Sequence, residues 1–333
     1  MPYKEREKQS GERKRKKPCY KVVNWTDYNK SLKKRGALSL YFPKGNLKDL
    51  FINADSYSQG LSGRQAYYRP AYIELIYIFY RLFNWGMRQI IGYFEDLWKS
   101  KGLNIVVPSF GHLSDLFASL PVSVRHYCDC VAARLQKGES VSLIMDSSGF
   151  RFDKSSHWYE TKYNKPCDQK PWRKLHLSMD AGMENYAIEL TEQDVGDREI
   201  MDLLMPESVI TDKIIADGGY YSAEKSQALF EKGITPVIPP PASSVVHNLE
   251  NPSSWHDKIV SYIKEKGTVY DFHKKYGYGA RALVEAQFSR IKRCIGSSLK
   301  TIKIESQKRE AIIIGNILNL WNSFGKPITV KIL

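Results

Sequence analysis

The sequence predicts an α/β protein in which a mixed β-sheet follows an N-terminal helical region. Between residues 67 and 137, apolar side chains recur at helical spacing. From Val141 onward, short β-rich runs bounded by Gly and Ser alternate with helical segments, which is the order of an α/β sheet. The length of 333 residues allows two domains, or one domain with insertions.

The N-terminal part divides into two predicted units. Residues 1–20 are rich in Lys and Arg and lack a hydrophobic segment, so they predict a disordered basic arm rather than a secretory signal. Residues 21–138 predict a helical domain, with helices over 71–82, 87–99, 112–117 and 122–135. Segment 87–117 fits either a helix-turn-helix that enters a DNA groove or a packed helical hairpin without DNA contact.

Residues 139–325 predict the sheet domain. A buried strand begins at Val141 and is expected to end on Asp146, where a turn follows. The later elements are a half-buried strand that includes 175–179 with His176 on its polar side, a strand over 187–191, a helix over 197–204, a strand into Asp217, a helix over 223–232, and a strand over 235–238. Segment 242–277 is predicted as an insertion before a last acidic helix.

Two aspartates follow the same local pattern. Asp146 and Asp217 each come after a short buried strand and before Ser or Gly residues. Either one alone is accounted for by local turn preference, because Asp and Gly favour turns. The repeated pattern, followed by an acidic residue on a helix, indicates a cluster of carboxylates.

That helix carries Tyr278-x2-Arg281-x3-Glu285-x6-Lys292. At 3.6 residues per turn these four positions fall within an arc of about 60°. The apolar residues of the neighbouring arc form a face for the core: Val284, Phe288, Ile291 and Ile295. An ordinary amphipathic helix with a solvated charged face is the alternative, and Gly277 and Gly279 also allow Tyr278 to lie in the preceding turn.

The Tyr-Arg-Glu-Lys spacing, together with the two aspartates, resembles the DDE transposases of bacterial insertion sequences. The nearest group is the IS-five type of the IS-four/IS-five superfamily. The similarity runs from about Asn24 to about Pro327, and it includes the stretches 24–29, 172–180 and 317–319. One departure is Ala-Asp-Gly-Gly-Tyr-Tyr around Asp217, where relatives more often have Gly-Asp-Gly-Ala-Tyr-Asp.

The resemblance implies a ribonuclease-H-like catalytic core and a set of site residues. Asp146, Asp217 and Glu285 would hold two Mg²⁺ or Mn²⁺ ions, since oxygen ligands suit hard cations and paired ions serve phosphoryl transfer. The same residues would be catalytic in cutting DNA at the element's end and joining it to target DNA. Residues expected to contact DNA are Tyr278, Arg281, Lys292, Trp172, Arg173 and Lys174.

Composition agrees with a nucleic-acid partner. There are 50 Lys and Arg against 36 Asp and Glu, a net charge of +14, which favours polyanions. We expect double-stranded DNA as partner (terminal inverted repeats and target), a homodimer on DNA, no membrane association, and a bacterial cytoplasmic, nucleoid-associated location. Five scattered Cys without zinc-site spacing fit a reduced compartment. The alternatives are a catalytically silent transposase-derived DNA-binding protein and a nuclease of the same fold.

Overall fold

The centre of the molecule is a five-stranded mixed sheet. A computed structural model describes residues 19–53, 67–152, 172–248, 250 and 253–332. The strands are β2 (Val141–Arg151), β3 (Trp172–Met179), β4 (Asn185–Thr191), β5 (Thr211–Ile215) and β6 (Thr235–Val237). Their order is β4-β3-β2-β5-β6. The β4–β3 and β3–β2 pairs are antiparallel, whereas β2–β5 and β5–β6 are parallel. The predicted mixed sheet with a ribonuclease-H-like core is confirmed.

The helices surround this sheet. Those before it are α1 (Trp25–Arg35), α2 (Leu47–Phe51), α3 (Pro70–Phe83), α4 (Met87–Ser100), α5 (Phe110–Ala118) and α6 (Asp129–Gln136). Those after β4 are α7 (Asp197–Ile200), α8 (Ala223–Glu231), α9 (Trp255–Lys266), α10 (Val269–Tyr276), α11 (Ala282–Cys294) and α12 (Ile304–Phe324). Within the described ranges, no helix is long and apolar enough to cross a membrane.

The N-terminal helices and one face of the sheet share a continuous hydrophobic core. Phe79 of α3, Ile144 of β2, Leu177 of β3 and Ile314 of α12 all belong to this cluster. The long helix α12 packs against both β4 and the N-terminal helices α1, α3 and α5. The other face of the sheet has its own smaller apolar cluster, which includes Met145. Both faces are therefore covered, as buried mixed sheets require.

Strand β2 is longer than the sequence suggested. The prediction that it ends on Asp146 was wrong, because the strand continues to Arg151. Its parallel pairing with β5 ends at Ile144, but its antiparallel pairing with β3 continues from Ile144 to Arg151. The β3 ladder satisfies the backbone groups of Ser147 and Ser148, so these residues extend the strand instead of turning.

The helix predicted over 122–135 begins only at Asp129. Upstream, the backbone is bound by asparagines of α12 instead of by helical hydrogen bonds. Asn316 Oδ1 accepts from the Arg125 N–H at 2.9 Å, and the Asn316 amide donates to the Ser123 carbonyl oxygen at 2.9 Å. Asn319 donates to the Arg125 carbonyl oxygen at 2.9 Å. Such partners are far away in sequence, so local periodicity did not reveal them.

The candidate helix-turn-helix consists of α4 and α5. Segment 101–109 joins them, which is longer than the 3–4 residue turn of that motif. Leu113 and Phe117 of α5 are fully buried, and the Ser109 side chain caps the start of the helix. This geometry fits the packed hairpin, and a DNA-reading role for 87–117 stays a prediction.

At the N-terminus, residues 1–18 of the predicted arm lie outside the described residues. Cys19 and Tyr20, which the prediction also assigned to the arm, instead begin β1 (Cys19–Val22). This strand pairs antiparallel with β7 (Thr329–Ile332).

Candidate active site

Three carboxylates from separate parts of the chain lie around one guanidinium. Arg281 Nη2 is 3.0 Å from Asp146 Oδ2 and 3.7 Å from Asp217 Oδ2, while its Nη1 is 2.7 Å from Glu285 Oε1. The three acids predicted from the sequence are thus brought together. Arg281, predicted as a contact to DNA phosphate, is here the ion-pair partner of all three.

The sheet topology explains how the aspartates meet. Strands β2 and β5 are parallel neighbours whose last paired residues are Ile144 and Ile215. Asp146 and Asp217 each follow two residues later, so they lie side by side at the same edge of this strand pair. Asp217 precedes a short 3-10 turn (Gly218–Tyr220), and its Oδ1 accepts the Gly219 N–H at 2.9 Å. The strand-then-turn prediction was therefore correct for Asp217.

Glu285 comes from the first turn of α11, which packs on β2. Val284, Phe288 and Ile291 are buried, so the predicted apolar face of this helix is confirmed. Tyr278 and Arg281 lie in a 3-10 turn just before α11, as the two glycines allowed. The four motif residues therefore do not share one α-helix, although Arg281 still reaches Glu285.

Burial makes Asp146 electrostatically unusual. Desolvation raises the pKa of Asp146 to about 6, against opposing effects of Arg281 and of the Ser147 N–H, which donates to its Oδ1 at 2.9 Å. The negative charges of Asp217 and Glu285 raise it further. Since one guanidinium offsets only one of three carboxylate charges, the cluster favours additional positive charge.

Lys292 lies against β2, about two helical turns beyond Glu285. Its Nζ donates to Ser148 Oγ at 2.7 Å and lies 5.1 Å from the centre of the Phe150 ring. Burial lowers the pKa of this ammonium group. Asp146, Ser148 and Phe150 are every second residue of β2, so their side chains lie on one face of the sheet. Lys292 contacts Ser148 and Phe150 and therefore lies on the face that carries Asp146.

Tyr278 lies beside the carboxylate cluster. Its ring stacks on His273 with centroids 4.2 Å apart. Burial raises the pKa of Tyr278, Arg281 opposes this effect, and the nearby acids, Asp217 first among them, add to it. The phenol therefore stays protonated at neutral pH and is a hydrogen-bond donor.

The three predicted DNA contacts of β3 do not gather at this cluster. Trp172 and Lys174 lie on the face of the sheet opposite Asp146, since Asp146 pairs with Leu177 and side chains alternate. The Trp172 ring covers Gly149, where an added Cβ would come within 3.2 Å of the ring. Lys174 Nζ is bound to the Val195 carbonyl oxygen at 3.0 Å.

Arg173 does face the same side as Asp146, but it is already bound within the protein. Its Nε donates to Gln307 Oε1 at 3.0 Å, and its Nη1 pairs with Glu192. The guanidinium also lies 4.4 Å from the centre of the Phe152 ring. A contact of Arg173 or Lys174 with DNA would require an exchange of these partners.

The sequence reasoning missed a second polar cluster under the Asp217 turn. Asp197 Oδ1 lies 3.1 Å from Lys174 Nζ and 3.5 Å from His176 Nδ1. A Cβ on Gly219 would come within 3.2 Å of Asp197 Oδ2, so this acid contacts the turn that carries Asp217. Asp197 opens a helix far from that turn in sequence, and no local signal marks it.

His176 is fully buried in this cluster, so the prediction of a half-buried strand was wrong for β3. Residues 175–179 are buried on both sides, because a 3-10 turn after α7 (Met201–Leu204) covers the face that was expected to be polar. His176 Nε2 shares a hydrogen bond with Thr191 Oγ1 at 2.9 Å. Burial lowers the pKa of His176 to about 4, although Asp197 opposes this effect.

Tyr220 completes the surroundings of the aspartates. Its side chain is fully buried, and its hydroxyl has no hydrogen-bond partner in the described part of the chain. Burial, with contributions from Asp197, Asp146 and Asp217, raises the pKa of this phenol. Its position directly after Asp217-Gly-Gly was the signal that could have marked it.

The donor set of the three acids fits hard divalent cations. It consists only of carboxylate oxygens, which Mg²⁺ and Mn²⁺ prefer. Arg281 occupies the centre of the cluster with its Nε buried and without a hydrogen-bond partner.

A second group of metal-binding residue types lies in segment 242–277. Potential ligand atoms of His247, His256 and Asp257 lie within 4.8 Å of one another. Asp257 Oδ1 accepts the backbone N–H of His247 at 2.7 Å. His256 Nδ1 is bound to the Tyr221 hydroxyl, and its Nε2 lies 2.9 Å from the Val245 carbonyl oxygen. These hydrogen bonds already engage Asp257 and both ring nitrogens of His256 within the protein.

Residues 137–320 match the family model described as the transposase DDE domain. The matched range begins just before β2 and ends within α12. It contains all three clustered acids, together with Tyr278, Arg281 and Lys292.

Proposed function

We propose, from the premise that this chain belongs to the transposase DDE domain family, that it is a transposase of the IS-five type. It would bind the terminal inverted repeats of an insertion sequence and carry out metal-dependent cleavage and strand transfer. The observation that carries this proposal is the approach of Asp146, Asp217 and Glu285 to the single guanidinium of Arg281.

In this proposal the three carboxylates hold Mg²⁺ or Mn²⁺, two ions in all. When bound, such ions supply Lewis-acid activation of the attacking oxygen and charge stabilisation of the leaving oxygen. Asp146 is the most deeply buried of the three acids and would hold these ions together with Asp217 and Glu285. Its deprotonation is favoured by positive charge that enters the cluster.

Arg281 has a double role in this proposal. Without cations it neutralises part of the carboxylate charge and keeps the three groups close. With cations present, its fork is released toward a DNA phosphate, where it can grip two oxygens. Lys292 supplies a point charge to a neighbouring phosphate, and the protonated phenol of Tyr278 donates a hydrogen bond.

The proposed reaction has two steps that use the same centre. Water first cuts the phosphodiester at the element's end, and this cleavage frees a 3′-hydroxyl group. That hydroxyl then attacks a phosphate of target DNA, so a phosphodiester bond forms as another breaks. The second step therefore needs no external energy source.

The partners follow from this reaction. We propose double-stranded DNA as substrate, a homodimer on DNA because an element has two ends to hold, and a bacterial cytoplasmic location near the nucleoid. The net charge of +14 supports a DNA partner. We also propose that the helical domain 21–138 reads DNA, and that the sheet domain begins at residue 139.

The test is a cleavage and joining assay on the DNA that flanks the gene. A plasmid carrying both flanks is incubated with the protein and Mg²⁺, and cut ends and joined products are scored separately. A transposase yields both products, whereas a nuclease of the same fold yields cut ends alone. A silent DNA-binding protein retains the flanks in a binding assay and yields neither, which would overturn the proposal.

A further inference from the structure

A cavity of about 640 Å³ lies behind the catalytic helix. Its walls are α1, the side of α11 that carries Arg290, the end of α12 with the residues after it, and the turn between β3 and β4. Arg290 follows Glu285 by five residues, which places it about 140° around the helix. The cavity is therefore separate from the carboxylate cluster.

All the charged residues that line this cavity are cations. Its lining includes four cationic residues and no Asp or Glu: Arg35, Arg290, Arg293 and Lys326. Cations that line one cavity without acids repel each other, and the repulsion is stronger where water is partly excluded. An arrangement of this kind is stabilised by a bound anion.

Arg290 is subject to this repulsion in addition to burial. Burial lowers the pKa of Arg290 to about 10, and the charge of Arg35 is the second cause. Its Nη1 donates to Asn322 Oδ1 at 2.8 Å, which is a neutral partner. Glu184 raises this pKa as the smallest of the named causes, and it already pairs with His126 at 3.2 Å.

Arg35 is held in place by aromatic rings rather than by an acid. Its guanidinium lies 4.9 Å from the centre of the Trp321 ring and 6.0 Å from that of Tyr28. Its Nε is buried and has no hydrogen-bond partner within the described chain. Ring contacts leave the edge of the guanidinium free, and that edge carries the N–H donors.

We propose that this cavity is a binding site for a phosphate ester group. Two guanidinium groups offer forks that match phosphate oxygens. Arg293 and Lys326 add charge at the rim, although Lys326 Nζ also donates to the Gly182 carbonyl oxygen at 2.6 Å. Apolar lining from Leu32, Met183 and Leu283 suits the organic part of the ester. The ligand is a DNA backbone phosphate or a free nucleotide.

The site does not depend on the chemistry of the carboxylate cluster. If its ligand is DNA, it rests on the proposed DNA binding but not on cleavage. The experiments therefore use a chain with Asp146→Asn, which removes the proposed catalysis. If no phosphate binds at this cavity, the proposed function is therefore unaffected.

The first measurement is thermal unfolding in chloride and in millimolar inorganic phosphate at equal ionic strength. Phosphate is expected to raise the midpoint of the parent chain by several degrees, because a ligand of the folded state stabilises it. Arg290→Gln and Arg35→Gln should each lose most of this rise. In chloride they should be at least as stable as the parent, since the repulsion is removed. Lys264→Gln, an exposed charge on α9, is the matched control and should keep the rise.

The second measurement separates the two sources of phosphate. Deoxyadenosine monophosphate and a short DNA duplex are each titrated against the same variants. A DNA phosphate predicts that Arg290→Gln weakens duplex binding roughly tenfold or more, as expected for a lost charge-assisted hydrogen bond, with little change for the nucleotide. If the ligand is a free nucleotide, Arg290→Gln should weaken nucleotide binding and leave duplex binding nearly unchanged. The proposal would be overturned if inorganic phosphate, the nucleotide and the duplex each bound Arg290→Gln and Arg35→Gln as they bind the control Lys264→Gln.

Discussion

Arg281 donates a hydrogen bond to Asp146 Oδ2 at 3.0 Å, although 135 positions separate the two residues in the chain. This contact joins the turn before α11 to the middle of β2. It also pairs the most deeply buried of the three carboxylates with the only cation that contacts all of them in the described structure. When no metal is bound, the stability of the folded state therefore depends on Arg281.

Arg281→Gln should therefore destabilise the protein when no divalent cation is present. Removing one partner of a buried pair costs about 3 kcal/mol, because the remaining carboxylate is left without compensation. Added Mn²⁺ should recover more stability in this variant than in the wild type, since the cation no longer competes with the guanidinium. Chemical denaturation with and without Mn²⁺ measures both effects.

The matched control for this prediction is Lys264→Gln, which removes the same charge from an exposed site. It should change neither the stability nor the response to Mn²⁺. If Arg281→Gln responded to Mn²⁺ no more than this control, competition between the guanidinium and metal would be excluded.

The carboxylates themselves should be indispensable for cleavage. Asp146→Asn, Asp217→Asn and Glu285→Gln are each expected to abolish cutting of the flanking DNA in Mg²⁺ while DNA retention persists. The reason is that amide oxygens cannot supply the negative charge that holds divalent ions. Gel assays of cleavage and of binding, run on the same preparations, check both halves. Cutting at the wild-type rate by Asp146→Asn would contradict the assignment.

The predictable part of the site was the part marked by local patterns. Asp217 was found because a buried strand and a Gly-Gly turn surround it. Glu285 was found because its spacing from Arg281 and Lys292 predicted one helix face, although Arg281 lies in the 3-10 turn before that helix. Asp146 was found for a partly wrong reason, since its strand continues through Ser147 and Ser148. The pairing that extends it comes from β3, which local turn preference does not reveal.

Contacts between distant segments were beyond the sequence. The ion pairs of Arg281 with the aspartates, and the contact of Asp197 with the Gly219 turn, require the sheet to be assembled first. The same holds for residues 123–125, where asparagines of α12 replace helical hydrogen bonds. Periodicity describes one segment at a time, so it predicts elements better than their partners.

His176 should make the stability of the fold depend on pH. Its folded-state pKa of about 4 lies below the ordinary value of 6.5. The stability from the neutral ring is thus fully present above pH 6.5 and is lost as the pH falls from 6.5 to about 4, where the unfolded state binds the extra proton. The loss should be on the order of 3 kcal/mol.

Urea denaturation across this pH range tests the prediction. His176→Gln should flatten the dependence between pH 6.5 and 4, whereas His112→Gln, an exposed residue of α5, should not. The comparison between variants removes the contribution of carboxylates, which titrate in the same range. Parallel curves for the wild type and His176→Gln would show that burial of this ring carries no penalty for protonation.

DNA binding should depend strongly on salt. The chain carries a net charge of +14, and neutralised phosphates release counterions. Affinity for duplex DNA is expected to fall by orders of magnitude between about 50 and 200 mM salt.

Deletion of residues 1–17 should weaken binding to every sequence alike, because basic arms contact phosphates without reading bases. Titrations at several salt concentrations on two unrelated duplexes check this, and a change in sequence preference alone would contradict it.

Lys292 is expected to position DNA beside the carboxylate cluster for both cleavage and joining. Its ammonium group is held by Ser148 Oγ at 2.7 Å, on the strand and face that carry Asp146. Lys292→Ala should keep Mn²⁺ binding, because the lysine contacts none of the three acids in the described structure. It should lower both end cleavage and joining by roughly a hundredfold, since misplacement of the DNA phosphate costs about that much.

Ser148→Ala and Lys292→Arg complete this test. Ser148→Ala keeps the charge and removes only its anchor, so the loss should be near fivefold, which corresponds to about 1 kcal/mol for one hydrogen bond. Lys292→Arg should recover part of the activity, because the fork has a different reach from the ammonium group. Cleavage and strand transfer are scored separately on a pre-cut and an uncut end. If Lys292→Ala joined pre-cut ends at the wild-type rate, the lysine would only anchor α11 to β2, and the spacing from Glu285 to Lys292 would reflect packing rather than DNA contact.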